Sequence, residues 1–292
     1  MSERIEIKNL NVSYGNKQVL FDVSLTIDRG MFGLLGRNGA GKSTLMKALV
    51  GLVPIKSGEI SICGILSENK KDIRSIIGYL PQEFNMYPNM KVDEALDYLG
   101  TLSEMRSKVL RKRIEEILEI VNLKEDRNLK IKTLSGGMKR RLGIAQAILH
   151  NPKVLIVDEP TAGLDPEERI RFRNLLSNLA EDKIVILSTH IVGDIEMTCN
   201  RLSVLNNGKI IFDGTTKEIV DSAKGFTYEV KVPKSQIYDF KNRYVITAQK
   251  DFGDYVEMKL LFKGKPDDKF VPVNPTIEDG YLNLLYDIGG TK

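Results

Sequence analysis

Met31-Phe32-Gly33-Leu34-Leu35-Gly36-Arg37-Asn38-Gly39-Ala40-Gly41-Lys42-Ser43 decides the fold. Its first five residues carry no charge and run straight into glycine, which reads as a buried strand. Lys42 to Leu52 then reads as a helix. Between them, Gly36 to Ser43 fits the pattern GxxxxGK(S/T). The glycines permit positive φ and let backbone N–H groups approach an anion. The next helix turns its positive end toward the same anion. The pattern therefore holds the phosphates of a nucleoside triphosphate. Lys42 is placed to reach the β- and γ-phosphates, and the Ser43 hydroxyl to coordinate Mg²⁺. Gly36, Asn38, Gly39, Ala40, Gly41 and Thr44 complete the phosphate-binding set.

Working outward, Val154-Leu155-Ile156-Val157-Asp158-Glu159 is an apolar strand that delivers two carboxylates to the carboxyl edge of a sheet, where such folds bind ligands. Asp158 fits a magnesium ligand, held directly or through water. Glu159 fits the group that orients and deprotonates an attacking water. Another buried strand, Ile184 to Leu187, leads to Ser188-Thr189-His190; alone, such a histidine reads as structural. Gln82 comes after the strand Ile76 to Leu80 and Pro81, which ends the strand by removing a donor. Its amide is within reach of a metal or water at that edge, although a loop glutamine needs no such role. Tyr14, in Val12-Ser13-Tyr14-Gly15, is the candidate for stacking on the base, worth about 1–3 kcal/mol and tolerant of any base. The other reading of Tyr14 is a cap on a strand end.

Residues 3 to 28 alternate apolar and polar in two runs and read as antiparallel strands. Ser57-Gly58-Glu59 reads as a turn before a strand from Ile60 to Cys63. From Lys91 to about Leu123, apolar spacings of three and four predict two or more amphipathic helices with no strand between them. Leu134-Ser135-Gly136-Gly137-Met138 opens a helix reaching about Leu149. Pro166 suits the first turn of the next helix, to about Ala180. Asn206-Asn207-Gly208 joins Leu202–Leu205 to Lys209–Phe212 as a hairpin. Strands alternating with helices predict an α/β fold with a mostly parallel sheet. Beyond about Lys224 the pattern changes to short strands at Thr227–Val232, Tyr244–Ala248 and Tyr255–Phe262, then a helix from Ile277 to Tyr286. This predicts a domain over 1–222, with a helical insert at about 83–150, and a small α+β accessory domain over 223–292.

The order phosphate loop, Gln82, LSGGM, Asp158-Glu159, Ala162-Gly163-Leu164-Asp165, His190 resembles the ATP-binding-cassette (ABC) ATPases, the motor subunits of membrane transporters. The likeness covers residues 3 to about 220. It implies an ABC-type P-loop fold that hydrolyses ATP with Mg²⁺. It implies that His190 contacts the γ-phosphate. It also implies that Ser135, Gly136 and Gly137 close over ATP held by a second subunit, with Asp165 in the loop along that interface. Arg37 stands where many members have proline, and Met138 where many have glutamine. The tail Asn274-Pro275-Thr276-Ile277-Glu278-Asp279 looks like the bacterial drug- and antibiotic-export branch, whose members pair with small permeases; the plainer reading is a cap on the sheet. The resemblance thus implies a dimer, a homodimer in the simplest case, with integral membrane permease subunits at the inner face of the membrane. The alternative is a soluble ABC-type ATP-gated clamp on ribosomes or DNA, which usually carries two cassettes per chain or a long coiled coil.

Composition fits a cytoplasmic protein. Charged residues are 28% and the net charge is +4, which gives no concentrated basic face for nucleic acid. The basic triplets Arg111-Lys112-Arg113 and Lys139-Arg140-Arg141 read as solvated helix faces. Two distant cysteines, Cys63 and Cys199, make no disulfide framework. No apolar run approaches the ~18 residues needed to span a bilayer.

Overall fold

The computed structural model describes residues 3–264 and 267–288. The first strands are β1 (Arg4–Tyr14), β2 (Lys17–Asp28) and β3 (Gly30–Leu35), then α1 (Lys42–Leu49), β4 (Ser57–Ile62), β5 (Ile65–Leu66), α2 (Lys70–Ile76) and β6 (Ile77–Leu80). Three helices come next without an intervening strand: α3 (Val92–Leu102), α4 (Ser107–Ile120) and α5 (Gly136–Ile148). Then come β7 (Val154–Asp158), α6 (Pro166–Ala180), β8 (Ile184–Thr189), α7 (Val192–Thr198), β9 (Arg201–Asn206), β10 (Lys209–Thr215) and α8 (Thr216–Asp221). The remainder holds β11 (Thr227–Pro233), α9 (Ile237–Arg243), β12 (Val245–Asp251), β13 (Tyr255–Leu261), β14 (Val271–Pro272) and α10 (Ile277–Tyr286). By contacts the chain forms two compact units: Met1–Cys199 with Leu205–Ile210, and Asn200–Val204 with Ile211–Lys292. Strands β9 and β10 carry the chain from one unit to the other.

In the first unit, β2, β1, β4 and β5 make an antiparallel sheet in that order. Strands β3, β8, β7 and β6 run parallel, side by side. Every residue of β7 and β8 is buried. That accounts for the apolar runs Val154–Val157 and Ile184–Leu187 within them, since a parallel sheet is covered on both faces. Burying each such Val, Ile or Leu contributes roughly 1.5–3 kcal/mol. The register aligns the strand ends: Leu35 lies opposite Thr189, Asp158 opposite Ser188, and Leu80 opposite Val157. All four strands therefore end at one edge, and the loops carrying Gly36, Gln82, Glu159 and His190 leave from it. Helix α5 lies hard against β6. A Cβ at Gly78 would stand 2.1 Å from the Ala147 carbonyl oxygen, so no larger residue fits there.

Several local expectations need correction. Helix α1 ends at Leu49, not Leu52, because Gly51 takes φ 70. Ser57-Gly58-Glu59 lies inside β4 rather than in a turn before it; Gly58 at φ 95 meets the bulged stretch of β1 between Lys8 and Asn11. Ile76 closes the short helix α2, and the strand starts at Ile77.

In the second unit, β12, β13, β11 and β14 form an antiparallel sheet in that order. Its core is Tyr228, Val230, Val232, Phe240, Val256, Met258, Leu260 and Phe270. The tail stretch from Asn274 to Asp279 leads into α10, whose first residue is Ile277. Thr276 and Asp279 form its capping box, and Lys259 Nζ lies 2.6 Å from Asp279 Oδ2. Burial alone would push the Asp279 carboxyl up, but Lys259 and the Thr276 donors outweigh it and hold it below the usual aspartate range. Its contribution to stability is therefore complete above the ordinary aspartate value and fades as pH falls through the lowered native one. Helix α10 also packs on α8: a Cβ at Gly280 would stand 2.0 Å from the Ile219 carbonyl oxygen, and Asn283 Nδ2 donates to Ser222 O at 2.9 Å. Gly280→Ala is expected to destabilise this unit by about 1–3 kcal/mol through overpacking. Thermal unfolding checks this; an unchanged midpoint would show that the two helices part freely.

Candidate functional site

The phosphate loop leaves β3 through Gly36, whose N–H donates to Thr189 O at 3.3 Å. It enters α1 through Gly41 at φ 110, a backbone conformation costly for any residue with a Cβ. Lys42 is almost fully buried. Its Nζ donates to Gly36 O at 2.8 Å and Arg37 O at 3.2 Å, and pairs with Glu159 Oε1 at 3.1 Å. The other oxygen of Glu159 lies 3.0 Å from His190 Nδ1. The sheet register brings these groups together, because Glu159 N–H donates to Ser188 O at 2.9 Å, across from the strand leading to His190. Glu159 itself holds φ 49, a left-handed conformation that costs about 1–2 kcal/mol for an L-residue. Strain of this kind collects at functional sites.

Asp158 is buried beside this trio and accepts from the Ser188 hydroxyl at 2.8 Å. Burial and, after it, the Asp158 charge hold the nearby Tyr79 hydroxyl protonated well above its ordinary range. The Ser43 hydroxyl, the Asp158 carboxylate and the Gln82 amide are hard oxygen donors of the kind Mg²⁺ takes alongside substrate phosphates. Among the described residues no group of three or more His, Cys, Asp and Glu is set to hold a metal alone.

Among the described residues, no hydrogen bond joins Tyr14, Gln82, Ser135, Gly136, Gly137 or Asp165 to that trio. Tyr14 is exposed at the end of β1, opposite Lys17. Gln82 is exposed, and its carbonyl accepts from Arg140 Nη1 at 2.6 Å. Ser135 caps α5, accepting from Met138 N–H at 3.2 Å; Ser135 and Gly136 are exposed, and Gly137 is buried against the Glu168 carboxylate. Asp165 caps α6, accepting from Glu168 N–H at 2.9 Å.

The basic triplets are not simply solvated faces. Arg140 holds the Gln82 segment. Arg141 is buried, donates to Val121 O and Asn122 O, and lies 3.5 Å from Glu168. Arg113 donates to Ile148 O and Leu149 O. Arg113 and Arg141 satisfy carbonyls where a helix ends, a role with no signature in composition. His150 donates from Nε2 to Ile77 O at 3.1 Å, and burial lowers its pKa. Both cysteines are buried; burial pushes the Cys199 thiol up to about 12, which makes it inert.

Past Gln82 the chain borders an apolar cleft of about 410 Å³ lined by Phe84, Met86, Tyr87, Pro88, Tyr98 and Leu99, among others. The rings of Tyr87 and Tyr98 meet edge to face at 5.8 Å, and both are exposed.

The chain is 32% identical over 292 residues to the Nod factor export ATP-binding protein I of Burkholderia lata, with 96% of each chain covered. The chain belongs to the ABC transporter ATP-binding proteins. The ABC transporter family model matches residues 20–162. The linearmycin resistance ATP-binding protein LnrL of Bacillus subtilis is 36% identical over 226 residues, 76% of this chain and 73% of that one. Among solved structures, the dimeric bacterial ABC transporter cassette MJ0796 matches with a TM-score of 0.65 at 29% identity, over 72% of this chain and 98% of that one. As an ABC transporter ATP-binding protein, the chain binds and hydrolyses ATP. The α/β P-loop fold expected from the sequence is the fold observed.

Proposed function

We propose that two copies of this chain sandwich two ATP molecules, and that closing and opening of this dimer drive a separate membrane permease in export. The observation that carries the reading is the exposure of Ser135 and Gly136 at the head of α5. These residues form an anion-binding helix end, and no hydrogen bond among the described residues joins them to Lys42, Asp158, Glu159 or His190. They complete the site held by the other subunit. Supporting the export direction, relatives at 32–37% identity carry the names Nod factor export and linearmycin resistance ATP-binding protein.

In this reading Gly36 to Thr44 bind the phosphates and Lys42 turns from Gly36, Arg37 and Glu159 to the triphosphate. Ser43, Asp158 and Gln82 would hold Mg²⁺, which would supply charge neutralisation at the phosphate oxygens. Glu159 accepts the proton of the attacking water. His190 bridges Glu159 and the γ-phosphate, and Tyr14 stacks on the base. Ser135, Gly136, Gly137 and Asp165 act across the interface. The cleft at Tyr87 and Tyr98 receives the permease, since it is apolar, exposed and continuous with the Gln82 segment. No helix among the described residues is long and apolar enough to cross a membrane, and the chain works at the cytoplasmic face.

Ser135→Arg tests the shared site. It is expected to leave ATP binding to the single subunit intact and to block turnover, because donors missing from one side of the γ-phosphate arrive only on closure. Turnover surviving in this variant would refute the sharing.

A further inference from the structure

Asp194 is a fully buried carboxylate with no part in the nucleotide chemistry assigned to Lys42, Asp158, Glu159 and His190. It sits in the first turn of α7, four residues after His190. Its Oδ2 accepts from the hydroxyl of Thr161, itself buried, in the segment just after Glu159-Pro160. Its Oδ1 lies 3.8 Å from Arg173 Nη1, on α6, and that nitrogen also donates to Gly193 O at 3.4 Å. Its backbone carbonyl accepts from Thr198 Oγ1 at 2.6 Å.

A buried charge with its counter-ion this far away contributes little to stability, since an apolar residue of similar size avoids the desolvation cost. What the carboxylate does instead is join two loops. Segment 159–161 and segment 190–194 are bridged twice, by Glu159 with His190 at one end and by Thr161 with Asp194 at the other. The two bridges close a ring. From its buried root at Thr161 the loop runs outward: Leu164 N–H donates to Thr161 O at 3.2 Å, and Gly163 and Asp165 are exposed.

We infer that Thr161 and Asp194 are positioning residues that lock the exposed loop 162–165 to the Glu159–His190 pair, so that pressure from the partner subunit on the loop sets the carboxylate that accepts the proton. This rests on the proposed sharing of each ATP between two subunits. Neither side chain touches the reacting atoms. The ring makes their placement one rigid adjustment, and misplacing a catalytic group by about 1 Å can cost on the order of 10²-fold in rate.

The test is steady-state ATP hydrolysis by the full chain carrying Thr161→Val, which keeps shape and removes the hydroxyl, beside Thr161→Ser, which keeps the hydroxyl. Thr161→Val is expected to lower kcat roughly 10- to 100-fold, with KM and the affinity for a fluorescent ATP analogue unchanged. Thr161→Ser restores kcat. Asp194→Asn, which retains an acceptor, keeps most of the rate, and Asp194→Leu matches Thr161→Val. Wild-type kcat in Thr161→Val, or an equal loss in Thr161→Ser, overturns the inference. So does a fall in ATP affinity that accounts for the lost rate. ATP-dependent dimerisation of the Glu159→Gln chain is measured in parallel. Its absence sinks the shared site, whereas a normal dimer together with an undiminished Thr161→Val sinks the lock alone.

Discussion

Glu159→Gln is expected to hold ATP firmly while turning it over on the order of 10²–10⁴-fold more slowly, the usual worth of a general base. The two oxygens of Glu159 face Lys42 Nζ at 3.1 Å and His190 Nδ1 at 3.0 Å. Glutamine keeps this shape but cannot take a proton from water. It also removes the negative charge that holds Lys42 back from phosphate, so affinity for ATP should not fall. The variant should accumulate as an ATP-bound dimer, seen as a doubled mass in size-exclusion chromatography with Mg²⁺ and ATP. Turnover at the wild-type rate would remove Glu159 as the base.

Lys42→Ala should abolish nucleotide binding. The ammonium-bearing side chain is 4% exposed, and two of the acceptors now holding it, Gly36 O and Arg37 O, lie within the loop that grips the phosphates. Removing it also leaves the Glu159 carboxylate buried with His190 as its remaining side-chain partner. Breaking a buried pair in this way costs about 3–5 kcal/mol, so the melting temperature should fall as well. Lys42→Met, which fills the volume, separates the two effects: it should restore part of the stability and none of the binding. Titration with a fluorescent ATP analogue is the measurement. Tight residual binding by a folded Lys42→Met chain would contradict the role given to this lysine.

The parts of the site set by local sequence were legible before the fold was. A charge-free strand, a glycine loop and a helix must succeed one another at residues 31–49, and the two carboxylates at 158–159 must emerge where an apolar strand ends. The helix from Ile277 to Tyr286 was legible because Thr276 caps it and its apolar residues recur along one face. Helices α2, α7, α8 and α9 were not, because six or seven residues do not complete two turns and give no periodicity to read. The Lys139-Arg140-Arg141 triplet misleads for a different reason. Charge suggests solvent, but Arg140 and Arg141 find partners among carbonyls 58 and 19 residues away. The Thr161–Asp194 contact and the left-handed backbone at Glu159 are tertiary in origin, and no spacing in the chain announces them.

The way the polypeptide threads between its two units limits how it can be cut. Asn200–Val204 belong to the second unit, Leu205–Ile210 to the first, and Ile211 onward to the second again. A truncation after residue 222 would strip α10 from α8 and bare Ile219, which is now fully buried. A chimera that exchanges tails between relatives must therefore carry α8 along with α10, or begin life with a sticky seam.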